Sequence, residues 1–250
     1  MFTSFASCDT GYFQQHAKPL ISSAIFHGNN LHVHVIGNYD DCRDLIEEYE
    51  LKAQKMIRNI SSNVAIQFSL GPLPLEQKYL RDLRTYYACD RFINAPEMMN
   101  HFNMSVLVLD IDCYFMQKIE PFEEDVRLFL REPLPGTQGW EAEGTRVAAG
   151  AVFYNNTTMG RKFASDVRTE IIEGEHRWFA DQVALNKTFQ KLTKQTEDPF
   201  TYGVFDSDFM DWEFRQGTAI WTGKGSRKYE NQEYLKQKKI WEDLFDRMSQ

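Results

Sequence analysis

The sequence predicts one α/β domain built on a mixed, mostly parallel central sheet flanked by helices, and three observations carry that prediction. Short apolar runs alternate with stretches of helical period up to Leu109, the pattern of βαβ units joined by right-handed crossovers. The run Val106–Leu109 is apolar without interruption, as a strand buried on both faces must be. Its carboxyl end delivers Asp110 and Asp112, and open α/β sheets collect their ligands beyond the carboxyl ends of their strands. With 250 residues, 42% apolar and 14% aromatic, the chain has ample material for a single large core.

The elements follow in order. Phe2–Ala6 reads as a first strand that ends in Ser7-Cys8-Asp9-Thr10-Gly11-Tyr12. A helix follows to Phe26, with Leu20, Ile21, Ala24 and Ile25 as its apolar positions and Gly28 placed to stop it. Leu31–Ile36 is a second strand closed by Gly37-Asn38. Residues Asp41–Arg58 set Leu45, Ile46, Tyr49, Ala53, Met56 and Ile57 on one helical face, with acids early and bases late. Val64–Phe68 is a third strand, Gly71–Pro74 a loop, and Glu76–Phe92 a helix. Beyond Asp112 the alternation loosens. Val126–Leu130 and Arg146–Tyr154 read as strands, with a Pro/Gly-rich connection over Glu132–Gly144. Helices cover Thr158–Ile172 and His176–Phe189, and Asp198–Gln216 is aromatic-rich and irregular. A short strand at Ala219–Trp221 and a terminal helix over Asn231–Met248 complete the chain.

A net charge of −8 with no Lys/Arg-rich block excludes nucleic-acid binding through a broad basic face. Cys8, Cys42, Cys89 and Cys113 are far apart in sequence and form no Cys-x-x-Cys pair, which predicts reduced thiols. The first residues lack the basic and apolar regions of a secretory leader, and no apolar run is long enough to span a bilayer. The expectation is a cytosolic protein with no transmembrane segment.

Two carboxylates at the end of a buried strand need a cation, and an all-oxygen pair suits a hard divalent metal that keeps positions open for phosphates. On the residues alone a plainer reading stands beside this one: Asp112 caps a turn and Asp110 pairs with an arginine. Three further segments widen the pattern. SCDTGY follows the first strand, YYACDRF spans 86–92, and WFADQVALN spans 178–186. Together with LVLDID they resemble the GT-A-fold nucleotide-sugar glycosyltransferases, with the nearest likeness to the retaining group that holds glycogenin and the lipopolysaccharide galactosyltransferases. The resemblance spreads from about Phe2 to Lys228.

That resemblance implies a metal-dependent transfer of a hexose from a nucleoside-diphosphate sugar, a UDP-sugar first, to a hydroxyl on a glycan, lipid or protein acceptor. It divides the chain into a nucleotide-binding half (1–115), a sugar and acceptor half (116–228) and a terminal helix (229–250). Asp110 and Asp112 would hold Mn²⁺ or Mg²⁺ against the diphosphate, and Asp110 would also contact the donor. Asp9 and Tyr12 would grip the base, although Asp9 reads equally as a helix N-cap and Tyr12 as packing at a helix start. Arg91 would reach the donor with a fork suited to oxygens, or simply form an ion pair on its helix. Asp181 would bind sugar hydroxyls and Gln182 would steady the oxocarbenium-like charge beneath the reacting carbon; the alternative for the pair is a helix cap. In Trp221-Thr222-Gly223-Lys224-Gly225, Gly223 would admit the backbone and Lys224 would supply charge to the diphosphate.

The pattern also departs from the family. Thr222 stands where a metal-binding histidine is expected, and Arg146-Val147-Ala148 precedes Ala149-Gly150 where Asn is usual. A non-catalytic sugar-nucleotide or glycan-binding protein is therefore the alternative, and a haloacid-dehalogenase-type phosphohydrolase, which shares Asp-x-Asp after a strand, is a further one. His32 and His34 share one face of a strand and read as structural. Trp140, Tyr202, Phe205, Phe209 and Trp212 are candidates for stacking on sugar rings in an acceptor region.

Overall fold

The computed structural model describes residues 1–133, 135–195 and 199–250. Leu134, in the predicted connection, and Asp198, the first residue of the predicted irregular stretch, lie outside the described residues. In chain order the elements are β1 (Phe2–Asp9), α1 (Thr10–His27), β2 (Leu31–Ile36), α2 (Tyr39–Asn59), β3 (Ile66–Gly71), α3 (Gln77–Leu80), α4 (Leu83–Phe102) and β4 (Ser105–Leu109). They continue with β5 (Cys113–Phe115), β6 (Val126–Leu130), α5 (Gly139–Gly144), β7 (Val147–Tyr154), α6 (Thr158–Glu173) and α7 (Ala180–Leu192). The last are β8 (Tyr202–Val204), β9 (Met210–Asp211), β10 (Ile220–Thr222), α8 (Arg227–Glu230) and α9 (Gln232–Met248).

A seven-stranded sheet runs in the order β3-β2-β1-β4-β7-β6-β8, and a small sheet in the order β5-β10-β9. In the large sheet, β2 and β3 are parallel, as are β6 and β8, while β7 is antiparallel to both β4 and β6. The architecture is thus the mostly parallel α/β sheet, flanked by helices, that the alternation predicts.

The chain divides into two compact units, each gathered from separate segments. One comprises Met1–Phe5, Pro74–Leu109 and Pro121–Phe205; the other comprises Ala6–Leu73, Asp110–Glu120 and Asp206–Gln250. The core of the first packs Phe92 and Met99 of α4, Val106 and Val108 of β4, Val152 of β7, Phe163 of α6 and Leu185 of α7. The second holds an aromatic cluster of Tyr114, Phe214, Trp221, Tyr234 and Trp241, in which the Tyr114 and Tyr234 rings stack at 4.6 Å.

Several boundaries move from their predicted places for identifiable reasons. Gly28 ends α1 in the left-handed conformation (φ 78°), as expected of a helix-stopping glycine. The third strand begins and ends later than predicted because it pairs along the whole of β2, from Leu31 with Ile66 to Ile36 with Gly71. A Cβ at that last position would stand 2.4 Å from His34 Nε2, so a larger residue there would force the His34 ring aside. The helix predicted over Glu76–Phe92 is two: Asp82 breaks it and caps α4 by accepting from the Thr85 N–H at 3.1 Å. α4 then continues through Pro96 to Phe102. The helix predicted to begin at His176 begins at Ala180, because Phe179 takes a left-handed backbone (φ 75°). The connection over Glu132–Gly144 contains the short α5, and the irregular stretch contains β8 and β9. All four cysteines are buried and none forms a disulfide. His32 and His34 both reach the Ser69 hydroxyl at 2.7 Å, as structural histidines do. Among the described residues no helix is long and apolar enough to cross a membrane.

Candidate functional site

The second unit concentrates polar groups on Asp112, which is buried just before β5. Its Oδ2 accepts from the Tyr12 hydroxyl at 2.8 Å and from Lys228 Nζ at 2.7 Å. Lys228 also reaches the Tyr12 hydroxyl and lies 4.8 Å from the centre of that ring. The backbone of Asp112 is held as well: its carbonyl accepts from the Gly223 N–H at 3.1 Å and from the Tyr234 hydroxyl at 2.8 Å. Gly223 makes this approach possible, since a Cβ there would lie 2.7 Å from Tyr234 Oη and 2.9 Å from Lys228 Cβ.

The electrostatics follow from burial and contact. Burial pushes the Asp112 carboxyl up, but the Lys228 ammonium, its hydrogen bond, His16 and the Tyr12 hydroxyl outweigh it and hold the group below the ordinary carboxylate range. Asp112 is therefore an anion at neutral pH. Burial and then the Asp112 charge push Tyr12 well above the usual phenol value, so it stays a donor. His16, one turn along α1 from Tyr12 with the two rings 4.4 Å apart, is 1% exposed, and neither ring nitrogen has a hydrogen-bond partner. Burial lowers its pKa to about 4 and keeps it neutral.

The other predicted residues of this unit sit around that centre in different roles. Asp9 caps α1, accepting from the Tyr12 N–H at 3.0 Å, which places the Tyr12 ring. Asp110 precedes the turn in which its carbonyl accepts from the Cys113 N–H at 3.2 Å, and its charge acts on Tyr12. Lys224 is exposed and lies over the Trp212 ring at 4.6 Å. Thr222 is buried in β10 opposite Cys113. Sequence reasoning missed three participants: Lys228, Tyr234 and His16. Only His16 carried a local signal, the four-residue spacing that puts it on the Tyr12 face of a helix.

The first unit buries Asp181 beside an arginine. Asp181, in the first turn of α7, accepts from Arg91 Nη2 at 3.4 Å and from the Gln182 N–H at 2.8 Å. Arg91 comes from within α4 and also donates to the Ala149 carbonyl at 3.2 Å. That carbonyl lies where the β6–β7 ladder slips, passing from Val152 to Ala148 on one strand while β6 advances from Leu128 to Phe129. The Gln182 side chain is oriented too: its Oε1 accepts from Arg131 Nη2 at 3.2 Å, and Arg131 also reaches the Thr145 carbonyl. Phe179 pays for the entry into α7 with its left-handed backbone, and Gly144 leaves the room, since a Cβ there would lie 2.5 Å from Phe179 Cβ. Of the five aromatics expected to stack on sugars, Phe205 is buried and Trp140 is covered by Arg177 at 4.2 Å, while Tyr202 is broadly exposed.

A metal bridging a diphosphate needs only one or two protein carboxylates, the remainder coming from phosphate and water. Among the described residues no three His, Cys, Asp or Glu side chains gather to hold an ion by themselves. An ionised Asp112 with Asp110 beside it in sequence fits the first kind of site and not an all-protein cage. When bound, Mn²⁺ or Mg²⁺ would supply Lewis acidity toward the diphosphate.

No model of a known protein family matches the chain, and no curated protein matches its sequence. Its structure is similar to that of the glycosyltransferase GlyE of Streptococcus pneumoniae TIGR4, with a TM-score of 0.54 and 14% identity. The match takes in 99% of this chain and 62% of that one, so the chain spans less than two thirds of the GlyE chain's length. At that identity the likeness shows a shared fold, an α/β architecture with helices flanking a mostly parallel sheet.

Proposed function

We propose that this protein transfers a hexose from a nucleoside-diphosphate sugar, a UDP-sugar first, to a hydroxyl acceptor. The observation that carries the reading is Asp112: a buried, ionised carboxylate at the end of the LVLDID run, held by Tyr12, Lys228 and a glycine loop, in a chain with this fold. Asp110 and Asp112 are assigned the Mn²⁺ or Mg²⁺ that meets the diphosphate. Tyr12, with Asp9 fixing its helix start, is assigned the base. Lys224 and Gly223 are assigned to the loop over the phosphates.

The sugar-handling roles go to Asp181 and Gln182. Asp181, oriented by Arg91, is suited to accept from sugar hydroxyls. The Gln182 carbonyl, turned by Arg131, is suited to face positive charge developing at the anomeric carbon. Transfer with retention rests on the family resemblance alone. No general base for inversion is assigned.

Turnover tests the reading directly. Incubation with a panel of UDP-hexoses and Mn²⁺ is expected to release UDP slowly to water, and the product's anomeric configuration is read by proton NMR. Asp181→Asn should lower that rate by a factor of about 10² or more, as loss of a group acting in the transition state does. Nucleotide binding without any donor turnover, across UDP-, GDP- and CDP-sugars, would leave a binding protein instead.

A further inference from the structure

Resting on the nucleotide-sugar reading, the Lys228 contact has a further meaning. We infer that Lys228 is a stand-in cation at Asp112, surrendered to an incoming diphosphate, so that divalent metal and nucleotide bind as a cooperative pair and the metal alone binds poorly.

The geometry gives three reasons. First, Lys228 Nζ and the Tyr12 hydroxyl both occupy Asp112 Oδ2, at 2.7 and 2.8 Å, and the side chains of Lys228 and Asp112 are 13% and 7% exposed. A divalent ion that takes that oxygen must displace the ammonium or sit against a like charge in a poorly screened place. Second, Lys228 is built to move aside. It rises from the four-residue α8, next to Gly223 and to Gly225 (φ 65°), and lies between the faces of Tyr12 and Tyr229, at 4.8 and 5.6 Å. Third, a displaced ammonium needs an anion, and a diphosphate meets that need as a compact charge matched to oxygens. The metal alone therefore breaks the Lys228–Asp112 pair without replacement, whereas metal with diphosphate gives the displaced ammonium a new anion. Linkage makes the effect reciprocal: UDP raises the affinity for Mn²⁺ by the factor by which Mn²⁺ raises that for UDP.

The test is Mn²⁺ binding followed by the electron paramagnetic resonance of the free ion, with and without UDP. It uses wild type, Lys228→Met and Lys228→Arg. UDP should tighten Mn²⁺ binding to the wild type by about tenfold or more. Lys228→Met should bind Mn²⁺ alone roughly tenfold tighter than the wild type, with its UDP effect reduced by at least the same factor. Lys228→Arg, which keeps the charge, should preserve the wild-type pattern. If thermal melting shows Lys228→Met unfolded, Lys228→Gln, which keeps a donor for Asp112, takes its place in the comparison. Equal Mn²⁺ affinities in wild type and neutral variant, with the same UDP effect in both, overturn the stand-in role and leave the transferase reading intact. A wild type that binds no nucleoside diphosphate at any Mn²⁺ concentration removes the transferase reading itself.

Discussion

Two buried carboxylate–cation pairs among the described residues are built on different principles. Arg91 is held in the interior of a 20-residue helix, with a second bond to the Ala149 carbonyl, and it meets Asp181 with a planar fork. Lys228 stands on one turn of helix beside two glycines and meets Asp112 with a rotatable point charge. One pair is fixed in place by the core of its unit. The other is held by groups that converge on Asp112 from α1, from the Gly223 loop and from α9, with the cation itself on the four-residue α8. A permanent pair orients a side chain; an exchangeable pair reserves a binding position.

That contrast orders the expected effects of breaking each part. Arg91→Met leaves the buried Asp181 without its cation, so it should cost roughly 3–5 kcal/mol of stability in urea denaturation. A loss under 1 kcal/mol would mean that Asp181 is satisfied without Arg91. The next effect comes from pH. The unfolded chain protonates His16 near the ordinary value of 6.5, while the folded protein keeps it neutral down to about 4. Between those values the unfolded state binds more protons, so the His16 contribution is fully present above the unfolded value and is lost as pH falls. The span amounts to about 3 kcal/mol. Asp112, also held below its ordinary value, loses its own contribution in the same direction at lower pH. The urea midpoint of His16→Leu should accordingly change less between pH 7 and 5 than that of the wild type; parallel curves would refute the assignment.

Smaller effects probe the exchangeable pair. Lys228→Met should cost about 1.5–3 kcal/mol, less than Arg91→Met, because the Tyr12 hydroxyl still serves Asp112. Reversal of that order would undo the comparison. Gly223→Ala forces a Cβ against Tyr234 Oη and Lys228 Cβ and should lose about 1–3 kcal/mol, read as a fall in melting temperature. Lys224→Ala removes only an exposed cation–π contact over Trp212, about 0.5–1 kcal/mol, so its value lies in the nucleotide affinity it leaves behind.

What was legible in the sequence follows from the range of the forces involved. The strand before Asp110, the limits Leu31–Ile36 of β2 and the Gly28 stop of α1 depend on local pattern and backbone freedom, and they stand where pattern placed them. The Asp9 cap was readable because a cap and its helix lie within one turn. Lys228 was not, because its partner lies 116 residues away and nothing in Gly-Ser-Arg-Lys-Tyr singles out the second base. β8 and β9 have three and two residues, too few for a period of two to register. The slipped β6–β7 register that exposes the Ala149 carbonyl to Arg91 is likewise a product of tertiary pairing.

The most direct test of the central claim is calorimetric titration of UDP, with and without Mn²⁺, into the wild type and Asp112→Ala. A shared donor site at Asp112 predicts that UDP binds the wild type with Mn²⁺ present and that the substitution abolishes this binding while the melting curve still shows a folded protein. Undiminished binding to folded Asp112→Ala, or no binding of UDP, GDP or CDP to the wild type under either condition, would contradict it.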